Sequence, residues 1–164
     1  MGNGCCYTRP KNADGSVRRK QIPINDNADI INMFHDVSID TVNPVHFDFK
    51  YGKIIKVYDG DTYWIAAPYC NGIFRFVIRL YGVDCPELRS KNPQEKIAAL
   101  AARDFVANLI LNKVVNVEIL PRKEKFGRLL ANITVGNQSL TSILINEGHG
   151  VAYDGGQKKS FGVI

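Results

Sequence analysis

The sequence has no long apolar run and few of the residues that build disulfide or zinc frameworks. No stretch approaches the roughly 20 apolar residues of a transmembrane helix, and the N-terminus lacks the apolar core of a secretory signal. The four cysteines include no C-x-x-C pair, and the three histidines are scattered. Neither a zinc ribbon nor a disulfide scaffold is therefore expected. These absences predict an intracellular protein whose cysteines are thiols or sites of acylation.

Positive charge is concentrated at the N-terminal end. Residues 1–24 carry five basic residues and one acidic residue, a net +4 of the total +5. This segment is also rich in Gly and Asn, which predicts a flexible basic tail over residues 1–24. Residues 25–45 form a predicted N-terminal extension whose apolar spacing favours a short helix. The remaining residues, 46–164, are long enough for one compact domain.

Closely spaced β-runs begin near residue 46. Alternating and β-branched stretches predict strands over residues 48–58, 62–67, 73–81, 114–120 and 128–135. Between the second and third runs, Asn71-Gly72 predicts a tight antiparallel hairpin, because both residues tolerate positive φ.

Two helices are predicted among these strands. Pro93 opens a segment with apolar residues every four positions, and a shorter helix before Gly148 uses that glycine as its C-cap. The predicted core-facing residues are Ile97, Ala101, Phe105 and Leu109 in the first helix, and Leu140, Ile143 and Leu144 in the second. The order β-β-β-α-β-β-α predicts a mainly β, α+β fold: a five-stranded oligonucleotide/oligosaccharide-binding (OB) barrel with a long helix after strand 3 and a short helix near the C-terminus. A split sheet with two helices on one face is the alternative.

Acidic and basic residues gather where the predicted strands begin or end. The carboxylates are Asp59, Asp61, Asp84 and Glu87, and the guanidiniums are Arg79 and Arg128. Hard carboxylate oxygens without His or Cys favour Ca²⁺ or Mg²⁺, and guanidiniums favour phosphate. This combination predicts a ligand that carries both a cation and an anion.

Three motifs follow one another along the chain: DGDT (59–62), RLYGVDCPE (79–87) and EKFGR (124–128), the last two separated by the long helix. Together they resemble the staphylococcal nuclease (thermonuclease) family. The resemblance covers roughly residues 50–159. The chain is similar to the small family members of eukaryotic or viral type. The resemblance implies the OB-type barrel and calcium-dependent cleavage of phosphodiester bonds in DNA and RNA, with single strands preferred.

The resemblance also implies a role for each matching residue. Asp61, Asp84 and the backbone carbonyl of Cys85 would bind Ca²⁺, with Asp59 nearby in the second shell. Glu87 would act as general base, and Arg79 and Arg128 would bind the scissile phosphate. Lys125 and Tyr153 would contact the substrate. Phe126 stands where the best-known members have a tyrosine, so one hydroxyl directed at phosphate is missing.

Plainer interpretations exist for each of these features. DGD alone reads as a turn that closes a hairpin, with Gly60 allowing a sharp bend. Arg79 alone reads as a solvent-facing arginine paired with Asp84 or Glu87, Arg128 as a cation on a solvated loop, and Tyr153 as a core tyrosine at the barrel edge. For the whole chain, the alternative is a non-catalytic nuclease-like module that binds nucleic acid or protein. Such modules typically lose acidic or arginine positions of the site, and their presence here favours the enzyme.

The first six residues, MGNGCC, resemble an N-myristoylation signal with Gly2 as the acceptor. Cys5 and Cys6 are then natural palmitoylation sites, which supply the second lipid that stable anchoring requires. The sequence therefore predicts a monomer attached peripherally to the cytoplasmic face of a membrane. A soluble cytoplasmic protein is the alternative.

Overall fold

The computed structural model describes residues 45–123 and 127–156, together with Ser38 and Asp40. For Arg122 and Lys123 only the backbone is described. The predicted acylation sites Gly2, Cys5 and Cys6 and the predicted substrate contact Lys125 lie outside the described residues. So do the tail and almost all of the N-terminal extension, and the division of the chain into these segments stays a prediction.

The described residues form strands and helices in the predicted order. The strands are β1 (Tyr51–Val57), β2 (Thr62–Tyr69), β3 (Gly72–Leu80), β4 (Val83–Asp84), β5 (Val114–Lys123), β6 (Leu129–Val135), β7 (Gln138–Ser139) and β8 (Val151–Ala152). The helices are α1 (Pro93–Ile110), between β4 and β5, and α2 (Leu140–Asn146), between β7 and β8. All five strands expected from the sequence are present, and β4, β7 and β8 are short additions to them.

Five of the strands close into a barrel. The order is β3-β2-β1-β5-β6, with antiparallel neighbours throughout. A parallel pairing of β3 with β6, in which Arg79 lies opposite Leu130, joins the two ends. This architecture confirms the OB-type α+β barrel. Outside it, β4 pairs with β8 in a separate two-stranded sheet.

The barrel interior is filled by every second residue of the strands. The largest side chains with almost no solvent exposure include Ile54, Tyr63, Ile65, Ile78, Leu80 and Ile133. Successive strand residues point to opposite faces, so Trp64 and Arg79, which neighbour these core residues in sequence, belong to the outer face. Burial of the apolar set is the main source of stability for such a barrel.

The β2–β3 hairpin turns one residue earlier than predicted. Cys70 and Asn71 have the positive φ values, 44° and 61°, and Tyr69 pairs with Gly72 at the end of the ladder. Two consecutive residues in the left-handed region are typical of a type I′ turn. Gly72 belongs to β3 instead, because the continuous register from Thr62↔Arg79 to Tyr69↔Gly72 leaves only two residues for the turn.

Helix α1 begins where predicted but buries a different face. The Asn92 side chain caps it by accepting a hydrogen bond from the Gln94 amide at 3.0 Å, and Pro93 occupies the first turn. Its buried residues are Ala99, Ala102, Val106 and Ile110. Of the residues predicted to face the core, Ile97 is 68% exposed and Ala101 is exposed, whereas Phe105 and Leu109 are half-buried against the core. The prediction was wrong for Ile97 and Ala101 and is confirmed in part for Phe105 and Leu109. The buried face contains alanines, which carry little apolar signal and let the helix lie close to the barrel.

Helix α2 follows the prediction. Leu140 and Leu144 are buried, Ile143 is half-buried, and Gly148 follows with a φ of 71°. The His149 amide donates to the Leu144 carbonyl at 2.8 Å, which satisfies the end of the helix.

Candidate active site

The guanidinium of Arg79 joins two buried carboxylates. Its Nη1 forms an ion pair with Asp61 Oδ2, and its Nη2 lies 2.9 Å from Asp84 Oδ1. Nη2 also donates to the Val83 carbonyl at 3.2 Å. All three residues are buried: Arg79 is 7% exposed, Asp61 4% and Asp84 2%. The plainer interpretation of Arg79 is therefore wrong in placing its side chain in solvent, whereas the pairing with Asp84 that it expected is present.

The barrel brings these three residues together from separate segments. Asp61 immediately precedes β2, and its carbonyl accepts a hydrogen bond from the Leu80 amide at 2.8 Å. Arg79 lies next to Leu80 in β3, opposite Thr62. Asp84 ends β4, which pairs with β8. Backbone hydrogen bonds thus fix the positions from which all three side chains extend.

Carboxylates surround the Arg79 guanidinium. Two carboxylates share one guanidinium, and their charges raise the pKa of Arg79 even though burial alone would lower it. Asp59 adds a third carboxylate, since its Oδ1 accepts a hydrogen bond from the Asp61 amide at 3.2 Å. Burial raises the pKa of Asp59 to about 6, and the negative charge of Asp61 contributes to the shift. A bound cation would relieve this repulsion.

Gly60 is required by close packing, in a loop that bends at residues 59–61 as predicted. It does not have a positive φ. A Cβ at this position would lie 2.7 Å from Cys85 Sγ and 3.1 Å from the Ala102 Cβ of α1. The Gly60 carbonyl accepts a hydrogen bond of 2.5 Å from the buried Tyr63 hydroxyl. The Asp59–Asp61 loop therefore lies directly on α1 and on the residue that follows Asp84.

Cys85 connects the two acidic segments through its backbone. Its amide donates to Asp61 Oδ2 at 3.1 Å. Its thiol is buried, and burial, with a further contribution from Asp61, raises the thiol pKa well above its usual range. The thiol is therefore neutral and unsuited to nucleophilic chemistry. The role of the Cys85 carbonyl as a metal ligand stays a prediction.

Glu87 lies at the solvent edge, three residues after Asp84. Its side chain is exposed. The backbone around it is held by the first turn of α1: the Glu87 amide donates to Glu95 Oε1 at 3.4 Å, and Ser90 Oγ donates to Glu95 Oε2 at 2.5 Å. The acidic residue in the first turn of α1 is thus Glu95, whereas Glu87 stands before the helix.

Arg128 and Tyr153 lie on segments that pair with the same region. Arg128 is half-buried and stands two residues before Leu130, the partner of Arg79 in β6. The Tyr153 amide donates to the Gly82 carbonyl at 3.1 Å, and the Tyr153 hydroxyl donates to the Gly156 carbonyl at 3.0 Å. Tyr153 lines an open cleft of about 400 Å³ together with Tyr81, Gly82, Val151, Ala152, Asp154 and Gly156. Its contact with substrate stays a prediction.

The donor set fits a hard cation that completes its shell with other oxygens. Within residues 45–123 and 127–156, no group of three or more His, Cys, Asp or Glu side chains is arranged to hold a metal ion. Asp61 and Asp84 nevertheless present two carboxylates within reach of one guanidinium. Oxygen donors of this kind suit Ca²⁺, which accepts backbone carbonyls and water as further ligands.

Comparisons with known proteins agree with this geometry. The sequence profile of the family described as staphylococcal nuclease homologue matches residues 77–161, more than half of the chain. The chain belongs to the staphylococcal nuclease homologue family. It is 34% identical over 108 residues to an uncharacterised protein of Methanocaldococcus jannaschii, and the aligned segment covers 54% of this chain and 50% of that protein. It is also 31% identical over 97 residues to the thermonuclease of Staphylococcus hyicus, covering 58% and 55%. The chain thus spans about half the length of the curated relatives it matches.

The matched range of the nuclease-homologue family begins after the first acidic motif. It includes Arg79 and Asp84 but neither Asp59 nor Asp61. The structure connects the two parts, because Arg79 pairs with both Asp61 and Asp84. These ion pairs therefore hold Asp61 of the DGDT motif beside residues of the matched range.

Several structural supports of the site were not predicted. The Thr62 hydroxyl donates to Asp61 Oδ1 at 3.0 Å, and Glu95 accepts hydrogen bonds from the Glu87 amide and from the Ser90 hydroxyl. The S-x-N-P-x-E pattern at 90–95 indicates the capped start of α1, whereas the prediction used Pro93 alone.

No helix of the described residues is long and apolar enough to cross a membrane.

Proposed function

We propose that this chain is a calcium-dependent nuclease that hydrolyses phosphodiester bonds of DNA and RNA and prefers single strands. The observation that carries the proposal is the buried Arg79 guanidinium shared by Asp61 and Asp84, in a chain of the staphylococcal nuclease homologue family. This cluster offers a cation site and a phosphate-binding cation side by side.

Asp61, Asp84 and the Cys85 carbonyl would hold Ca²⁺. When bound there, Ca²⁺ supplies positive charge against the negative charge of the reacting phosphate. The Asp59 carboxylate would lie beside these ligands. A bound cation would favour its charged form, which burial and the charge of Asp61 disfavour.

Glu87 and the two arginines would act on the substrate directly. The Glu87 carboxylate accepts a proton from the attacking water as the water oxygen bonds to phosphorus. One ester P–O bond breaks, and the departing sugar oxygen takes up a proton from solvent water. Arg79 and Arg128 donate hydrogen bonds to the phosphate oxygens as negative charge develops on them. Arg79 is suited to this role because its two ion pairs hold the guanidinium in one orientation.

The test is cleavage of a single-stranded and a duplex DNA 20-mer by the wild type and by Glu87→Gln, each with Ca²⁺, Mg²⁺ or EDTA. We expect Ca²⁺-dependent cleavage that is faster on the single strand and falls by roughly 10²- to 10⁴-fold in Glu87→Gln. Glu147→Gln is the matched control, because Glu147 is an exposed glutamate at the end of α2. Full activity in Glu87→Gln would remove this residue from the mechanism. Intact substrate in every wild-type lane would favour the binding module instead.

A further inference from the structure

Strands β1, β2 and β3 contain no acidic residue and four cations, Lys53, Lys56, Arg75 and Arg79. Residues paired across neighbouring strands point to the same face of a sheet. Lys53 pairs with Ala66, and Ala66 pairs with Arg75, so these three form one row on the outer face of the barrel. Arg79 shares that face, because it lies four residues after Arg75 in the same strand.

A β-bulge adds Lys56 to this face. The β1–β2 register shifts between Ile54, which pairs with Ile65 in the core, and Lys56, which pairs with Trp64. Strict alternation would send Lys56 to the same side as Ile54, into the core. The extra residue Ile55 turns Lys56 outward beside Trp64.

Trp64 holds two of the cations in place. Lys56 Nζ lies 4.7 Å from the centroid of the Trp64 ring, and the Arg75 guanidinium carbon lies 4.5 Å from it. The two cations come from the strands on either side of β2. Such contacts order long side chains without neutralising them. Within the part of the chain that the structure describes, no carboxylate forms an ion pair with Lys53, Lys56 or Arg75.

This surface is continuous with the candidate active site. The four-residue step from Arg79 to Arg75 along β3 corresponds to about 13 Å at the usual rise of a strand. The pair Trp64↔Val77 lies between them. At the far end, Tyr51 is 57% exposed two residues before Lys53 in β1, and exposed aromatic rings are platforms on which unpaired bases stack.

We propose that this basic aromatic face, formed by Tyr51, Lys53, Lys56, Trp64 and Arg75, binds the backbone of a single-stranded nucleic acid whose scissile phosphate lies at Arg79. The proposal rests on the proposed nuclease function for the position of the scissile phosphate and adds a binding surface outside that site. A polyanion is favoured because Lys56 and Arg75 are ordered by Trp64, because no carboxylate of the described residues forms an ion pair with Lys53, Lys56 or Arg75, and because these cations share the face of Arg79. Aromatic rings among the cations favour unpaired bases over an anionic membrane surface.

Binding is measured without cleavage, in EDTA, by titrating the full chain with a labelled single-stranded DNA 20-mer. The chain has one tryptophan, so a change in Trp64 emission reports directly on this face. We expect quenching on binding, and at least a tenfold weaker affinity in Lys56→Gln/Arg75→Gln. The plot of the logarithm of the association constant against the logarithm of the salt concentration has a negative slope. Its magnitude should be smaller by about 1.4 in the variant, at roughly 0.7 for each lost phosphate contact.

Lys96→Gln/Arg103→Gln is the matched control, because it removes one Lys and one Arg from the surface of α1. We expect its affinity for the 20-mer to stay within twofold of the wild type. Thermal melting of both variants confirms that they fold. The wild-type salt slope and Trp64 quenching provide a readout that needs no variant.

Cleavage separates this proposal from the nuclease function. A dinucleotide is too short to occupy the site and reach Arg75 at once. The ratio of kcat/KM for the 20-mer to kcat/KM for the dinucleotide should therefore fall at least tenfold in Lys56→Gln/Arg75→Gln, mainly through KM.

A kcat/KM ratio and a binding affinity equal to those of the wild type would overturn the proposal while leaving the nuclease function intact. Absence of cleavage in the wild type would defeat the nuclease function, and the EDTA titration would still decide the binding face. Trp64 quenching by phosphatidylserine vesicles but not by the 20-mer would also overturn the proposal.

Discussion

A Cβ added to Gly60 would lie 2.7 Å from Cys85 Sγ. The loop that carries Asp59 and Asp61 is therefore in direct contact with the residue that follows Asp84. The Cys85 amide also donates a hydrogen bond to Asp61. The packing contact and this hydrogen bond therefore join the same two segments, the Asp59–Asp61 loop and Cys85. The spacing of the acidic residues consequently depends on the absence of one methyl group.

Gly60→Ala should destabilise the protein by about 1–3 kcal/mol, the usual cost of overpacking a close contact. Urea unfolding measures the change. A double-mutant cycle with Cys85→Ala is the control, since removing Sγ relieves part of the clash and should make the double variant more stable than additivity predicts. Strict additivity would show that Gly60 does not approach the Cys85 Sγ in solution.

Arg79→Met should cost about 3–5 kcal/mol in the free energy of unfolding, because it leaves Asp61 and Asp84 buried without their cation. Arg75→Met is the matched control on the same strand. Arg75 is exposed and contacts the Trp64 ring, so its loss should cost less than about 1 kcal/mol. Equal losses in the two variants would contradict the buried ion-pair cluster.

In EDTA, Asp59 should make the protein less stable as the pH rises from about 4 to about 6. The folded-state pKa is about 6 against the ordinary 3.8, so the folded state binds the proton more tightly over this window. Asp59→Asn keeps the oxygen that accepts the Asp61 amide and removes the charge. The variant should be more stable than the wild type by on the order of 2 kcal/mol at pH 7. Denaturant midpoints at pH 4, 5, 6 and 7 measure the difference, and parallel curves for the two proteins would contradict it.

Adding Ca²⁺ should raise the melting temperature of the wild type, and EDTA should reverse the rise, because a ligand that binds only the folded state stabilises it. Asp84→Asn should lose this response. Asp104→Asn should keep it, because Asp104 is an exposed residue of α1 paired with Arg103. An equal response in Asp84→Asn and the wild type would show that Ca²⁺ binds elsewhere.

Helix α1 should tolerate Ile97→Gln with a change of less than about 0.5 kcal/mol, because Ile97 is mostly exposed. Ala102→Leu should cost about 1–3 kcal/mol by forcing the helix away from the Gly60 loop. Thermal unfolding of the two variants compares the faces directly. A larger loss for Ile97→Gln would support the face predicted from the sequence.

The order of elements could be predicted from local pattern alone. Strand periodicity, Pro93 at a helix start and Gly148 at a helix end are short-range signals, and the structure confirms each of them. The hairpin turn was misplaced by one residue because Cys70 and Asn71, rather than Gly72, adopt the left-handed conformation. Strand register, which depends on the whole β2–β3 ladder, selected that turn.

The sequence by itself determined that this chain forms an OB-type barrel of the staphylococcal nuclease homologue family, with acidic and basic residues at the strand ends. Those features follow from residue type and spacing alone. Only the tertiary structure decided that Arg79 lies buried between Asp61 and Asp84, that Gly60 serves close packing, and that Lys56 turns outward to Trp64. These relationships join residues up to 42 positions apart, as Gly60 and Ala102 are, or follow from a bulge. The side-chain pattern of one segment carries no information about the segment that packs against it.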